Sequence, residues 1–254
     1  MTPLLQEAAL AGGLLVLLLA ALELGYRAGA REARDTHPVA GTQVGTVQGA
    51  ILGLLGLLLA FSFAAAGTRF LERQDLITQE ANAIGTAYLR ADLLDGPHRA
   101  ELRTALRRYT QHRISASRNL HQDTLGTTVT AEVERLHAEI WRAASSGVAD
   151  RPALALSVLA PVNDVIDLHA TRVAAAQKHV PLPVLALLVA CSLLSIAVIG
   201  YGNGLAGERS VPLAAPLAML IGFALCVTID LDHPRAGVIR LNDAPLANLK
   251  FDAP

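Results

Sequence analysis

Val47 to Ala66, a run of 20 residues without a charge, constrains this chain more than any other stretch. As a helix it is about 30 Å long, the thickness of a hydrocarbon core. Beyond it the sequence continues without proline into GTRFLERQDLITQEANAIGTAYLRADLL, where charged and apolar residues alternate at helical spacing. The expectation is one long helix that begins in lipid and ends in water.

Within this stretch Gly45, Gly49, Gly53, Gly56, Ala60, Ala64 and Gly67 share a stripe roughly 100° wide. Glycine weakens a helix, so repeated glycines on one face need a packing reason, and close approach between membrane helices supplies it. The partner helix belongs either to the same subunit or to a neighbouring copy, and the spacing leaves both open. Leu54, Leu57 and Phe61 form a bulky row roughly 110° from the stripe, and Gln48 and Ser62 lie on a third face. The bulky row fits lipid contact, or an apolar ring that narrows a pore and gates it by dewetting. By periodicity alone the Gln48/Ser62 face is an equal candidate for the pore.

Three further apolar spans accompany it: 4–22, 184–201 and 211–229, with the second span at 47–66. The first starts Met-Thr-Pro-Leu-Leu-Gln-Glu, without the basic region of a signal peptide, and is expected to be retained. It ends in ELGYRAGAREARD, where Glu23 and Arg27 stand one turn apart as a salt pair or as part of a charged vestibule. Residues 35–46 read as a loop, and Asp95-Gly96-Pro97 as the end of the long helix. Three more amphipathic helices follow, at about 98–120, from after a turn and cap at 123–130 to about 147, and at 152–179. Pro181 and Pro183 are expected to break the chain before the third span, and GYGNG at 200–204 reads as a tight outer loop.

Charge is concentrated between the apolar ends: 14 of the 21 Lys and Arg residues fall between Arg69 and Lys178. With 22 acids against them there is no general basic footprint, and no nucleic-acid partner is expected. If both termini and the central segment face the cytoplasm, 17 of the 21 basic residues lie on that side. Close to the membrane ends the bias is weaker: Arg69, Arg73, Arg172, Lys178, Arg235 and Arg240 inside, Arg27, Arg31, Arg34 and Arg209 outside. That distribution favours an orientation with both termini cytoplasmic. Cys191 and Cys226 sit in apolar spans and read as small hydrophobes.

His98, His112, His121, His137 and His169 stand in the charged segment without HExxH, paired-cysteine, phosphate-loop or nucleophile-elbow spacing. Asp164 and Asp167 share one helix face. Solvated helix surfaces account for these residues, so no enzyme activity, cofactor or metal site is expected. No spanning segment carries a mid-membrane charge of the kind that marks transporters and proton relays.

ELGYRAG at 23–29, GAILGLLGLLLAFSF at 49–63, RFLERQ at 69–74, EANAIGTAYLRADLL at 80–94 and LDHPRAG at 231–237 resemble the bestrophin-like domain family of bacterial membrane proteins. A more distant likeness runs to the bestrophin ion channels. LAFSFAAAGTRF is similar to their second membrane helix, in which apolar side chains line a narrow neck just before a Thr-Arg-aromatic triplet. Placed on Thr68, Arg69 and Phe70, the triplet assigns two neck positions to Leu57 and Phe61, and puts the third on Gly53, a departure from the pattern. LDHP and NDAPLANL resemble the stretches after the bestrophin fourth helix. The dense acidic calcium clasp of animal bestrophins is missing, leaving only Asp230 and Asp232.

The resemblance implies an all-α membrane protein with four transmembrane helices, and a helical cytosolic layer formed by extensions of helices 2 and 3. In this division residues 1–66 are a first transmembrane hairpin, 67–180 the helical cytosolic region, 181–229 a second hairpin and 230–254 a cytosolic tail. It implies a pentamer around a central pore constricted at Leu57 and Phe61. Neighbouring helices would pack on the stripe of Gly45, Gly49, Gly53, Gly56 and Ala60, with Glu23, Arg27, Asp230 and Asp232 as candidate vestibule or ion contacts. The partners expected are further copies of the chain, the lipid bilayer and a permeant ion. The competing class is a non-conducting membrane scaffold or sensor whose helical layer binds a partner protein.

Overall fold

The computed structural model describes residues 3–33, 40–119, 126–209, 211–234 and 237–251. Among them every regular element is helical: α1 (Pro3–Glu32), α2 (Ala40–Arg90), α3 (Gly96–Asn119), α4 (Gly126–Val148), α5 (Pro152–Gln177), α6 (Leu182–Ala206), α7 (Val211–Asp232) and the short α8 (Ala244–Ala247), with a 3₁₀ turn at Ala91–Leu93. Four helical stretches are long and apolar enough to cross a membrane, in α1, α2, the α5–α6 stretch and α7. In the third of these the charge-free part is α6, since α5 carries Asp164, Asp167 and Arg172.

The long helix is one continuous element of 51 residues, α2, about 75 Å from end to end. That exceeds a bilayer core more than twofold, so a membrane-crossing α2 must project well beyond it. Gly41 to Thr46, expected in a loop, are already helical. The rest of that loop, with Arg34 and Pro38, lies outside the described residues, as do His121 and Arg235. Nor does Asp95-Gly96-Pro97 end the helix as expected. The turn tightens first at Ala91–Leu93, and Asp95 then caps α3, its Oδ1 accepting the His98 N–H at 3.3 Å. Gly126 to Thr130 belong to α4 where a turn and cap was expected.

The chain divides into two compact units. The first comprises residues 1–70 and 179–240, the second residues 71–178 and 241–254.

In the first unit α1 and α6 run parallel in backbone contact. A Cβ on Gly25 would lie 2.0 Å from the Ala197 carbonyl oxygen, and one on Gly29 2.1 Å from that of Tyr201. From the other side, a Cβ on Gly200 would lie 2.1 Å from the Leu22 carbonyl oxygen and one on Gly204 2.2 Å from that of Tyr26. Each helix thus presents two glycines four residues apart, the spacing that places both on one face. This corrects two expectations. The first helix does not end near Leu22, because its second half is what α6 packs on. The 200–204 stretch is not a loop: its glycines are helical, and the turn comes at Gly207, which has a left-handed backbone with φ of 73°. Leu18, Leu55, Leu188, Ile196, Ala218 and Leu225 fill the core around this pair. Ser192, Ser195 and Thr228 each donate to a carbonyl four residues earlier at 2.7 Å, so no hydroxyl among these three is left unbonded in an apolar interior. Cys191 and Cys226 are partly buried.

In the second unit α3, α4 and α5 bury Leu102, Leu106, Tyr109, Leu136, Ile140 and Val162 against Ile77 and Ile84 of α2. One carboxylate lies at its centre. Glu80 is fully buried, accepts the Tyr109 hydroxyl at 2.5 Å and pairs with Arg113 at 3.2 Å and with Arg172. Burial pushes the Tyr109 phenol up to about 12, which keeps its proton on the donor side of that bond. Arg73 donates to the carbonyls of Ala175 at 3.1 Å and Lys178 at 2.5 Å, two groups left over where α5 ends.

Candidate functional site

The membrane part of α2 is two-sided. Leu55, Ser62 and Ala66 are buried, and Gln48, Leu52 and Leu59 partly so, on a single face. Gln48 and Ser62 therefore lie on the inward face of this chain, and the pore face they were an equal candidate for is turned into its own packing. The opposite half of the helix is bare. Leu54 and Leu57 are each 53% exposed and Phe61 66%. A Cβ added at Gly45, Gly49, Gly53, Gly56 or Gly67 would meet no atom within 4 Å, and Ala60 is exposed. Of the two partners left open for the stripe, a helix of the same chain is not in place among the described residues. The backbone-close glycine contacts of this unit belong instead to α1 and α6, which sequence reasoning passed over, although GYRAG at 25–29 and GYGNG at 200–204 carry the required spacing.

At one end of this unit the charged residues form a compact pair of clusters. Asp232 is 1% exposed. Its Oδ1 accepts the Arg69 Nε–H at 3.1 Å and its Oδ2 the Val180 N–H at 2.9 Å. That N–H is available because Val180 lies between the end of α5 at Gln177 and the start of α6 at Leu182, outside either helical ladder. His179 Nδ1 and His233 Nδ1 lie 3.4 Å and 3.8 Å from Asp232 Oδ2. Asp230 is engaged too, its Oδ2 accepting the Ile239 N–H at 2.9 Å. Neither acid is a bare vestibule charge: Asp232 is a buried junction and Asp230 holds the turn after α7.

Glu23 and Arg27 do form the expected i,i+4 pair, at 2.8 Å, though inside α1 rather than at its end. Arg209 approaches the same carboxylate at 3.5 Å and lies over the Tyr26 ring at 4.6 Å. Glu23, Tyr26 and Arg209, with Leu19, Leu22, Gly200 and Asn203, line a cavity of about 200 Å³.

The bestrophin-like domain matches residues 12–246, nearly the whole chain. This chain belongs to the bestrophin-like domain family. No curated protein and no solved structure matches it. The family assignment agrees with the helical architecture and with the four spans, and makes this a membrane protein. In this bestrophin-like chain two of the stretches that carry the resemblance are bonded to each other: Gln74, closing RFLERQ, donates to the Asn242 carbonyl at 2.9 Å and accepts the Asn242 N–H at 2.8 Å. The Thr-Arg-aromatic triplet is also structural here. Thr68 bonds back to the Ala64 carbonyl at 2.9 Å, and Arg69 reaches Asp232.

Proposed function

We propose that this bestrophin-like protein is a homo-oligomeric ion channel, pentameric, in the bacterial inner membrane with both termini and the helices of the second unit cytoplasmic. The observation that supports it is the bare half of α2. A stripe of open glycines beside a row of exposed Leu54, Leu57 and Phe61 offers one surface for close helix contact and another for a shared axis. Neighbouring copies pack on Gly45, Gly49, Gly53, Gly56 and Ala60. Leu57 and Phe61 then face the axis, where rings of apolar side chains raise the cost of wetting and hold the pore shut to hydrated ions. Gly53, in the third neck position of the bestrophin pattern, contributes no side chain, so the constriction is two rings deep. The protein acts on ions without catalysis, and its partners are its own copies, the bilayer and the permeant ion.

The experiment is an oligomer-resolved image of the detergent-solubilised protein combined with flux in reconstituted liposomes. A ring with Leu57 and Phe61 around an open axis, and ion flux altered by substitutions there, is the expected result. Intact oligomers without an axial opening, or without flux under any condition, would replace this reading with that of a scaffold that recruits a partner protein.

A further inference from the structure

His179 and His233 are separated by 54 positions in sequence, yet their imidazoles stack face to face, with centroids 4.5 Å apart and planes 8° from parallel. Both Nδ1 atoms look onto one carboxylate oxygen, Asp232 Oδ2, and one ligand atom from each of the three residues lies within 4.8 Å of the others. Tetrahedral bonds of 2.0–2.2 Å place ligand atoms about 3.3–3.5 Å apart. The His179–Asp232 separation of 3.4 Å already fits, and the His233 separation of 3.8 Å needs a shift of a few tenths of an ångström.

Burial is distributed as a metal site requires. The carboxylate is fixed, with Asp232 side-chain exposure of 1%, whereas the imidazoles are 41% and 45% exposed. A metal ion can therefore enter from solvent, the rings can adjust to it, and a water can take the fourth position. The carboxylate is oriented from behind by the Arg69 Nε–H and the Val180 N–H, the kind of outer-shell support that holds ligating carboxylates. Imidazole nitrogen selects zinc, copper or nickel over calcium and magnesium, which take oxygen ligands.

We propose that His179, Asp232 and His233 form a binding site for a divalent first-row transition metal, with Zn²⁺ as the probe ion. Each Nδ1 also contacts a backbone carbonyl, His179 that of Asp232 at 3.1 Å and His233 that of Ile229 at 3.2 Å. An ion must displace these bonds and move the imidazole protons to Nε2. Arg69 also offsets the carboxylate charge, so affinity is micromolar rather than that of a structural zinc site. A bound ion ties the start of α6 to the end of α7. The ligand set is a property of the first unit and is independent of whether the assembled protein conducts.

The test is Zn²⁺ titration of chelator-treated, detergent-solubilised full-length protein against a chromophoric competitor, repeated with Co²⁺ to read the ligand-field spectrum. One ion per chain is expected, with a tetrahedral cobalt spectrum. His179→Ala and His233→Ala should each weaken binding by about 10–100-fold and abolish that spectrum. Both side chains are half exposed, so these variants should elute and melt as the parent does, which separates lost ligation from lost fold. Absence of saturable binding by the parent protein overturns the site, as does one-per-chain binding that either variant leaves unchanged.

Discussion

Gly25 of α1 faces Ala197 of α6 so closely that a single added carbon would sit 2.0 Å from the Ala197 carbonyl oxygen. The contact is backbone to backbone, and no rotamer change can relieve it. Gly25→Ala must therefore push two parallel helices apart along their length. The expected cost is about 3 kcal/mol, the upper part of the usual overpacking range, because the interior here cannot yield. Gly12→Ala in the same helix, where nothing lies within 4 Å, is the control. Thermal unfolding of the two variants in detergent should separate them clearly. Equal stabilities would show that the α1–α6 contact is not as close as described.

The α2 stripe behaves in the opposite way under the same kind of substitution. At Gly49 and Gly53 an added Cβ has no atom of the described residues within 4 Å, so the folded subunit should tolerate Gly49→Leu and Gly53→Leu. If the stripe is where copies pack, leucine there holds the helices apart and the oligomer dissociates, while circular dichroism stays that of the parent. Light scattering in detergent reads the mass. An oligomer of unchanged size in both variants removes the stripe from the interface.

These two glycine sets show where sequence reasoning reached and where it stopped. The four spans and the helical second unit follow from charge-free runs and 3.6-residue periodicity, and the length of α2 from the absence of internal proline, all local properties. The glycines of α2 are conspicuous because three of them, with Gly45 and Gly67 flanking, fall on one stripe of a single span. Those of α1 and α6 look like ordinary breakers near charged ends, and only their pairing across the sequence gives them meaning. Asp232 is a similar case. Beside Asp230 it reads as a second surface acid, and nothing local announces that Arg69, Val180, His179 and His233 converge on it. Proline spacing announced that the chain breaks before α6, but not that the break frees an N–H for that carboxylate.

Phe61 is 66% exposed in the chain and carries the most apolar surface in the proposed constriction. Phe61→Ala removes a ring from every copy at the same height, and a wider, shorter apolar zone wets more readily. A drop of about 1.4 kcal/mol in that barrier corresponds to a tenfold rise in rate. Liposome ion flux should rise by about that factor or more, with oligomer mass unchanged. Flux equal to that of the parent in intact oligomers would take Phe61 off the permeation path.

Glu80 is the only carboxylate facing Arg113, Arg172 and the Tyr109 hydroxyl among the described contacts of that cluster. Removing it takes away the buried carboxylate that Arg113, Arg172 and the Tyr109 hydroxyl share, a change of the kind that costs about 3–5 kcal/mol. Glu80→Ala should therefore lower the unfolding midpoint far more than Glu139→Ala, whose partners Arg108 and Arg135 are solvent-exposed. A double variant, Glu80→Leu with Arg172→Met, should recover part of the loss, because both members of a buried pair then become apolar. If Glu80→Ala melts like Glu139→Ala, the buried cluster does not hold the second unit together.

Two histidines beside that cluster give the protein a pH dependence of defined sign. Burial, with the Arg113 charge next, holds His169 down to about 4, and the same two causes lower His137. The rings meet edge to face at 5.1 Å. In the unfolded chain both titrate near the ordinary value of about 6.5. Between about 6.5 and 4 the unfolded state thus binds more protons, so the stability these neutral rings contribute is complete above about 6.5 and is lost as pH falls toward 4. Allowing for partial solvent access, the loss from His169 is about 1–3 kcal/mol. Melting curves of the detergent-solubilised protein between pH 7.5 and 4.5 should show it, and His169→Gln should flatten the acid limb while leaving the midpoint at pH 7.5 within a few degrees. An acid limb of unchanged slope in that variant would assign the loss to other groups.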